Sequence, residues 1–360
     1  MARGYESREP DRRRTARHGT RGRSLSTNAG IDVHTHVTPA DIPQTGRHGR
    51  LWPEIVRENA DAATLVIDGK PFRRLEPNCW DPQRRIADMR EQDVRAQVLS
   101  PMPELLSFWL EPAETAYLAT HVNEHIAAMV ATAPERFAGL GMVAAQDLPT
   151  ALAQLDEIAR LDLAGIEIGT HINGVPLGDA ALWPLYEAAE ARDLAIFVHP
   201  LHPAALERIG GVPEVCLAAS FPLEIAMAAV SLISAGIPLR FPALRILLSH
   251  GGGALPTMFG RLALAREVIP QVRSAFGEDP RATAQRFWFD SNVYDPATLR
   301  FLASQIGFER IVIGSDYPFA IKQERPSEFV EGAIPGAVHQ CARNAAAFLY
   351  GSRVSRWRFG

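Results

Sequence analysis

Residues 31–36, Ile-Asp-Val-His-Thr-His, are the first of the short apolar segments that decide the fold of this 360-residue chain. The segment ends in His34 and His36, which lie two residues apart. In a β-strand such residues point to the same face, so the two imidazoles can converge on one point. This arrangement suits a metal ion. The alternative is a pair of histidines that hydrogen-bond to loop backbone.

Seven further strand-like segments follow along the chain, at 96–100, 137–143, 164–169, 195–199, 245–250, 286–291 and 310–315. Segments with helical spacing, such as 113–133 and 179–192, separate most of them. Eight short apolar strands that alternate with helices predict an α/β fold, a (β/α)8 TIM barrel. A doubly wound open sheet is the alternative.

Residues 38–82 interrupt this alternation between the first two strands. They contain Ala-Thr-Leu-Val-Ile-Asp-Gly-Lys-Pro-Phe-Arg-Arg at 63–74, in which Asp68-Gly69 stands between two strand-like runs. That pair is the signal of a two-residue β-hairpin turn. The sequence therefore predicts a small β-hairpin insertion after strand 1, on the face where a barrel carries its active site. The insertion either covers the active site as a lid or is a surface feature with no role there.

Charge is distributed unevenly along the chain. The formal net charge is −4, but the first 24 residues carry eight arginines and three acids, so the remainder carries −9. The excess of negative charge on the residues after position 24 argues against binding to nucleic acid. We predict that residues 1–28 form a disordered Arg-rich extension and that 29–360 form the barrel, with its insertion at about 38–82.

Targeting signals are not evident in the sequence. No run of about 18 apolar residues predicts a membrane span, and no apolar core follows the arginine cluster to predict export. Cys79, Cys216 and Cys341 are odd in number and far apart. They indicate reduced thiols and a cytoplasmic location.

Metal-competent side chains stand at the carboxyl ends of the predicted strands, where barrel enzymes place their active sites. They are His34, His36, His199, His250 and Asp316. Three imidazoles and a carboxylate suit Zn²⁺, with Mn²⁺ or Co²⁺ as alternatives. Lys70 and Lys322 are the only lysines, and neither lies near the fourth strand. Some barrels of this type hold two metals that are bridged by a modified lysine on the fourth strand, so we expect a single metal here.

The chain resembles the amidohydrolase superfamily and, within it, the aminocarboxymuconate-semialdehyde decarboxylase group, from about Ile31 to Tyr350. The similarity is carried by the ordered segments DGKPFRRLEPNCWDPQRRIADM (68–89), GIEIGTH (165–171), FVHP (197–200), SHGGGALPTMFGR (249–261) and IGSDYPF (313–319). The segment 201–220 departs from the group and predicts a rebuilt pocket wall.

The resemblance implies a role for each matching residue. The metal ligands would be His34, His36, His199 and Asp316. His250 would be catalytic, with Asp316 as an alternative proton donor. Arg73 would bind substrate, and Arg261 would reach the site across a homodimer interface. His171 could contact substrate or support another residue.

The reaction that the resemblance implies is the non-oxidative decarboxylation of an unsaturated or aromatic carboxylic acid, without an organic cofactor. The carboxylate-binding geometry of arginine agrees with such a substrate. A metal-dependent hydrolase of an amide or lactone would use the same residues and is the alternative. A non-catalytic binding protein is disfavoured because no ligand position is lost.

Overall fold

A computed structural model of the chain describes residues 25–26, 29–44, 49, 51–204 and 206–359. Eight parallel strands form one sheet in chain order. We number them β1 to β8, with the bounds Gly30–Val37, Val94–Pro101, Phe137–Gly141, Gly165–Gly169, Ala195–His199, Arg245–Leu248, Trp288–Asp290 and Ile311–Val312. Each predicted strand is present, although β3, β4 and the last three strands are shorter than predicted.

The sheet closes on itself between β8 and β1. The amide of Val33 donates to the carbonyl of Ile313 at 2.8 Å, and the amide of His36 donates to the carbonyl of Tyr317 at 2.8 Å. These bonds join the first strand to the last, so the predicted (β/α)8 barrel is confirmed and the open sheet is wrong.

Helices surround the barrel. The helices α1 to α13 span Pro82–Glu91, Pro112–Thr132, Leu148–Arg160, Trp183–Ala191, Leu206–Ile209, Pro213–Ser234, Ile237–Arg240, Leu255–Val268, Pro270–Phe276, Pro280–Ala284, Pro296–Ile306, Pro326–Ala333 and Ala337–Tyr350. Several begin at an aspartate followed by a proline in the first turn, as at Asp81, Asp147 and Asp295, whose carboxylates accept from backbone amides. The aspartate satisfies an open N–H group, and the proline ring has the helical φ already.

The predicted insertion is a three-stranded antiparallel sheet, Glu54–Asn59, Ala62–Ile67 and Lys70–Leu75. Asp68 and Gly69 have φ values of 56° and 68°, as a type I′ turn requires, so the predicted hairpin is confirmed. The strand Glu54–Asn59 was not predicted, because its side chains are mostly exposed and lack a buried face.

Most of the predicted Arg-rich extension, residues 1–24 and 27–28, lies outside the described residues. Within the described part, Ser26 donates from both its amide and its hydroxyl to the carboxylate of Asp93. Contact with the folded body therefore begins before the predicted boundary at residue 29.

Among the described helices, one apolar stretch meets the length and composition of a membrane span. It is Glu214–Ser234, with a mean hydropathy of 1.9, and 53% of it is buried within the fold. Buried core helices have the same composition, so it is weak support for a membrane span.

Candidate metal centre and active site

Four buried side chains converge at the carboxyl end of the barrel. They are His34 and His36 of β1, His199 of β5 and Asp316, which follows β8. Asp316 Oδ1 lies 3.1 Å from His34 Nε2, 3.2 Å from His36 Nε2 and 3.6 Å from His199 Nε2. All four ligand atoms lie within 4.8 Å of one another. The predicted ligand set is therefore brought together.

The other ring nitrogen of each ligand histidine is already hydrogen-bonded. His34 Nδ1 donates to Asp290 Oδ2 at 2.6 Å. His36 Nδ1 donates to the carbonyl of Pro101 at 2.9 Å, and His199 Nδ1 donates to the carbonyl of Pro200 at 3.1 Å. Each ring thus directs the lone pair of Nε2 to the centre, which is the usual arrangement of histidines that bind metals.

The charge of Asp316 and the neutral ring of His199 also fit a cation. Burial opposes ionisation of Asp316, but the neighbouring histidines hold the pKa of its carboxyl well below the usual range. Burial lowers the pKa of His199 to about 4 and so keeps that ring neutral. The three Nε2 atoms and Asp316 Oδ1 are buried without hydrogen-bond partners among the described residues. A divalent metal ion would satisfy all four atoms at once.

His250 lies beside the cluster and is not one of its four members. Its ring centre is 5.2 Å from that of His34 and 5.4 Å from that of His199. Its backbone amide donates to Asp290 Oδ2 at 3.0 Å, and that of Gly251 donates to Asp290 Oδ1 at 2.9 Å. One carboxylate therefore positions both a ligand histidine and His250.

The His250 ring has one nitrogen occupied and one available. The side-chain nitrogen of Asn292 faces Nδ1 at 3.3 Å, which places the proton of a neutral ring on Nε2. His250 Nε2 is buried and has no partner among the described residues. Burial lowers the pKa of His250 to about 3, so the ring is neutral.

Arg73 extends from the insertion toward the centre. Its guanidinium lies 4.3 Å from the centre of the Phe319 ring, and Phe319 stacks on His36 at 5.0 Å between ring centres. Arg73 Nη2 donates to Glu104 Oε1 at 2.6 Å. The insertion therefore contacts the mouth of the barrel, which favours a lid over an ornament.

The two remaining predicted residues are not drawn into the cluster. His171 lies just beyond β4, where Nε2 donates to the carbonyl of His202 at 3.2 Å and Nδ1 accepts from the amide of Gly174 at 3.0 Å. Its role in binding substrate stays a prediction. Arg261 is exposed on α8 and has no hydrogen bond or ion pair with any described residue.

Three residues of the site were not predicted from the sequence, namely Asp290, Asn292 and Glu104. Asp290 stands at the end of β7, and Asn292 follows two residues later. Their position at the carboxyl end of a strand was the available signal. Glu104, an acid within the apolar run after β2, was a second available signal.

Arg85 supports the first strand from below the site. It is fully buried and donates from Nε to Gln97 Oε1 at 2.7 Å, and from Nη1 to the carbonyls of His36 and Asn78 at 2.9 and 3.0 Å. We expect Arg85→Met to lower the free energy of unfolding by about 3 kcal/mol, because it leaves buried acceptors unpaired.

Urea denaturation of the metal-depleted protein measures this loss. The control is Arg84→Met in the same helix, whose side chain is 57% exposed and pairs with Asp88. It should cost under about 0.5 kcal/mol. Equal losses in the two variants would contradict the role given to Arg85.

A buried cluster of three histidines and an aspartate at the carboxyl end of a closed (β/α)8 barrel defines a metal-dependent barrel enzyme. Residues 31–351 match the family model described as amidohydrolase. The chain therefore belongs to the amidohydrolase family.

Individual relatives extend this finding. The chain is 34% identical over 309 residues to 2-amino-3-carboxymuconate-6-semialdehyde decarboxylase of Dictyostelium discoideum. The aligned region covers 84% of this chain and 85% of the relative. The crystal structure of Metarhizium anisopliae IDCase superposes with a TM-score of 0.76 at 21% identity, covering 91% of this chain and 98% of that chain. A dihydroxybenzoic acid decarboxylase from Polaromonas with bound manganese and 2-nitroresorcinol superposes with a TM-score of 0.70 at 19% identity, covering 92% and 99%.

Proposed function

We propose that this protein is a metal-dependent, non-oxidative decarboxylase of an unsaturated or aromatic carboxylic acid, similar to 2-amino-3-carboxymuconate-6-semialdehyde decarboxylase. The observation that carries the proposal is the 34% identity to that enzyme across 84% of the chain. The geometry agrees with it, because a buried ligand cluster is flanked by His250 on one side and Arg73 on the other.

Decarboxylation breaks the bond between a carbon and its carboxylate, releases CO2, and leaves an electron pair that takes up a proton. The metal held by His34, His36, His199 and Asp316 would supply a Lewis acid. His250 Nε2 faces the cluster side without a partner among the described residues, so we assign His250 the catalytic role of hydrogen-bonding to the reacting acid and relaying a proton that it first takes up from water or substrate. Asp316 is the alternative, and as an ionised carboxylate it would first take up the proton from water or substrate and then deliver it to the carbon. Arg73 orients the acid from the lid.

The direct test is a panel of unsaturated and aromatic acids, amides and lactones incubated with the metal-loaded protein. We expect CO2 release from at least one acid, and no cleavage of the amides or lactones. The control is the His250→Asn variant, which should release CO2 at least about 100-fold more slowly. Hydrolysis without CO2 release would contradict the proposal and support the hydrolase alternative.

We propose Zn²⁺ as the native metal. Imidazole nitrogens and carboxylate oxygens are common ligands of zinc, and the cluster offers three of the first and one of the second. The manganese in the Polaromonas enzyme makes Mn²⁺ the main competitor. Elemental analysis of the protein as purified, followed by reconstitution of the metal-depleted protein with each ion, distinguishes them.

We also propose a homodimer in which Arg261 enters the partner's site. Arg261, Leu264 and Val268 share one face of α8, since they lie three and four residues apart. Leu264 and Val268 are 58% and 63% exposed. The neighbouring α6 exposes Leu223 and Met227 by about half. Exposed apolar side chains around an unpaired arginine are typical of an interface.

We propose a cytoplasmic location for this enzyme. The three cysteines are buried and unpaired in the structure, as expected for a protein of a reducing compartment.

A further inference from the structure

The positive charge of Arg73, on the insertion, is already paired with a buried carboxylate. Arg73 donates to Glu104, whose side chain is only 9% exposed, at 2.6 Å. Glu104 lies in the turn Pro103–Leu105, directly after β2 on the active-site face. A carboxylate substrate that approaches Arg73 therefore also meets a buried negative charge.

The pair leaves polar atoms unused on both partners. Glu104 Oε2 and Arg73 Nε are buried and have no hydrogen-bond partner among the described residues. Buried polar atoms without partners are rare in folded proteins and indicate a missing ligand or water. Here Glu104 Oε2 is a hydrogen-bond acceptor and Arg73 Nε is a hydrogen-bond donor.

The pair lies within range of the reaction centre. Arg73 covers Phe319, and Phe319 stacks on the metal ligand His36. On the other side, His202 packs on Trp109 at 4.5 Å, and the charge of Glu104 acts on both His36 and His202. Glu104 is therefore linked to the ligand cluster through Arg73, Phe319 and His36.

We propose that Glu104 is a specificity-determining residue, which accepts a hydrogen bond from a hydroxyl or amino group of the acid substrate. The inference rests on the proposed function and adds the substrate class. A second carboxylate at this position would be repelled by Glu104, whereas a neutral donor would satisfy Oε2 without disturbing the ion pair. Glu104 would therefore favour acids with a donor at this position over acids that lack one.

The test measures binding of three aromatic acids to the metal-loaded protein by calorimetry. The probes are 2-hydroxybenzoate and 2-aminobenzoate, whose substituents are hydrogen-bond donors. The third probe is 2-methoxybenzoate, whose substituent occupies the same ring position but has no O–H or N–H group. We expect the wild-type protein to bind the donor-bearing acids at least about tenfold more tightly, because a buried acceptor left unpaired weakens the complex.

Glu104→Gln is the decisive variant. Its side chain can keep an oxygen toward Arg73 while offering an NH₂ group in place of Oε2, so the tenfold preference should vanish or reverse toward 2-methoxybenzoate. The matched control, Glu124→Gln on the exposed face of α2, should leave the preference unchanged.

Two results would overturn the inference. One is an equal loss of affinity for all three acids in Glu104→Gln, as a purely structural role would produce. The other is a wild-type protein that binds none of them or shows no preference. Failure of the proposed function is a separate result, in which the preference is present but no acid in the wider panel releases CO2.

Discussion

His199→Ala and Asp316→Ala will each lose bound metal and activity together, whereas His250→Asn will keep its metal and lose turnover. Removal of one ligand from a four-ligand set should weaken metal binding by more than about 100-fold, since even loss of a residue that supports a ligand costs 10- to 100-fold. His250 lies outside the ligand set, so its loss should lower kcat by about 10²- to 10⁴-fold at unchanged metal content.

Metal content by elemental analysis and CO2 release, measured on the same samples, check this expectation. His339→Ala serves as the control, because His339 is exposed on α13. Equal metal loss in all three variants would make His250 a ligand and would refute the roles assigned above. Full turnover in the His250→Asn variant would instead assign the proton transfer to Asp316.

Two inactive variants, Arg261→Ala and His250→Ala, should recover activity when they are mixed. In a two-fold dimer each subunit donates the same residue to the other, so a mixed dimer holds one site with His250 and the borrowed Arg261 both intact. Random exchange makes half of the dimers mixed, and one of their two sites is active. The recovered activity should reach about a quarter of the wild-type value.

The control mixes Arg261→Ala with the double variant Arg261→Ala/His250→Ala, in which no site can be complete. Exchange itself is followed by mass spectrometry of tagged subunits. If exchange is complete and no activity returns, Arg261 acts within its own subunit or not at all.

Much of the fold could be predicted because the signals are local. The eight strand segments and the turn at Asp68-Gly69 each depend on neighbouring residues. The ligands His34, His36 and His199 were also predictable, since a barrel brings the carboxyl ends of its strands together. Once the strands were recognised, the topology itself placed these side chains in one cluster.

The unpredicted parts of the site depend on contacts between distant residues. His34 and Asp290 are 256 positions apart, and Arg73 and Glu104 belong to different loops, 31 positions apart. Side-chain periodicity says which face a residue occupies but not which partner it meets after the barrel closes. The pairing of Arg73 with Glu104 was therefore not predicted.

Asp290 links the four-residue cluster to His250. Because this one carboxylate anchors both His34 and the backbone at His250, the spacing between the four-residue cluster and the His250 ring is set within the barrel. The hydrogen bonds to the Asp290 carboxylate come from His34, His250, Gly251 and Asn292, and none comes from the described residues of 201–220. A substitution in that segment therefore removes none of the hydrogen bonds that set this spacing.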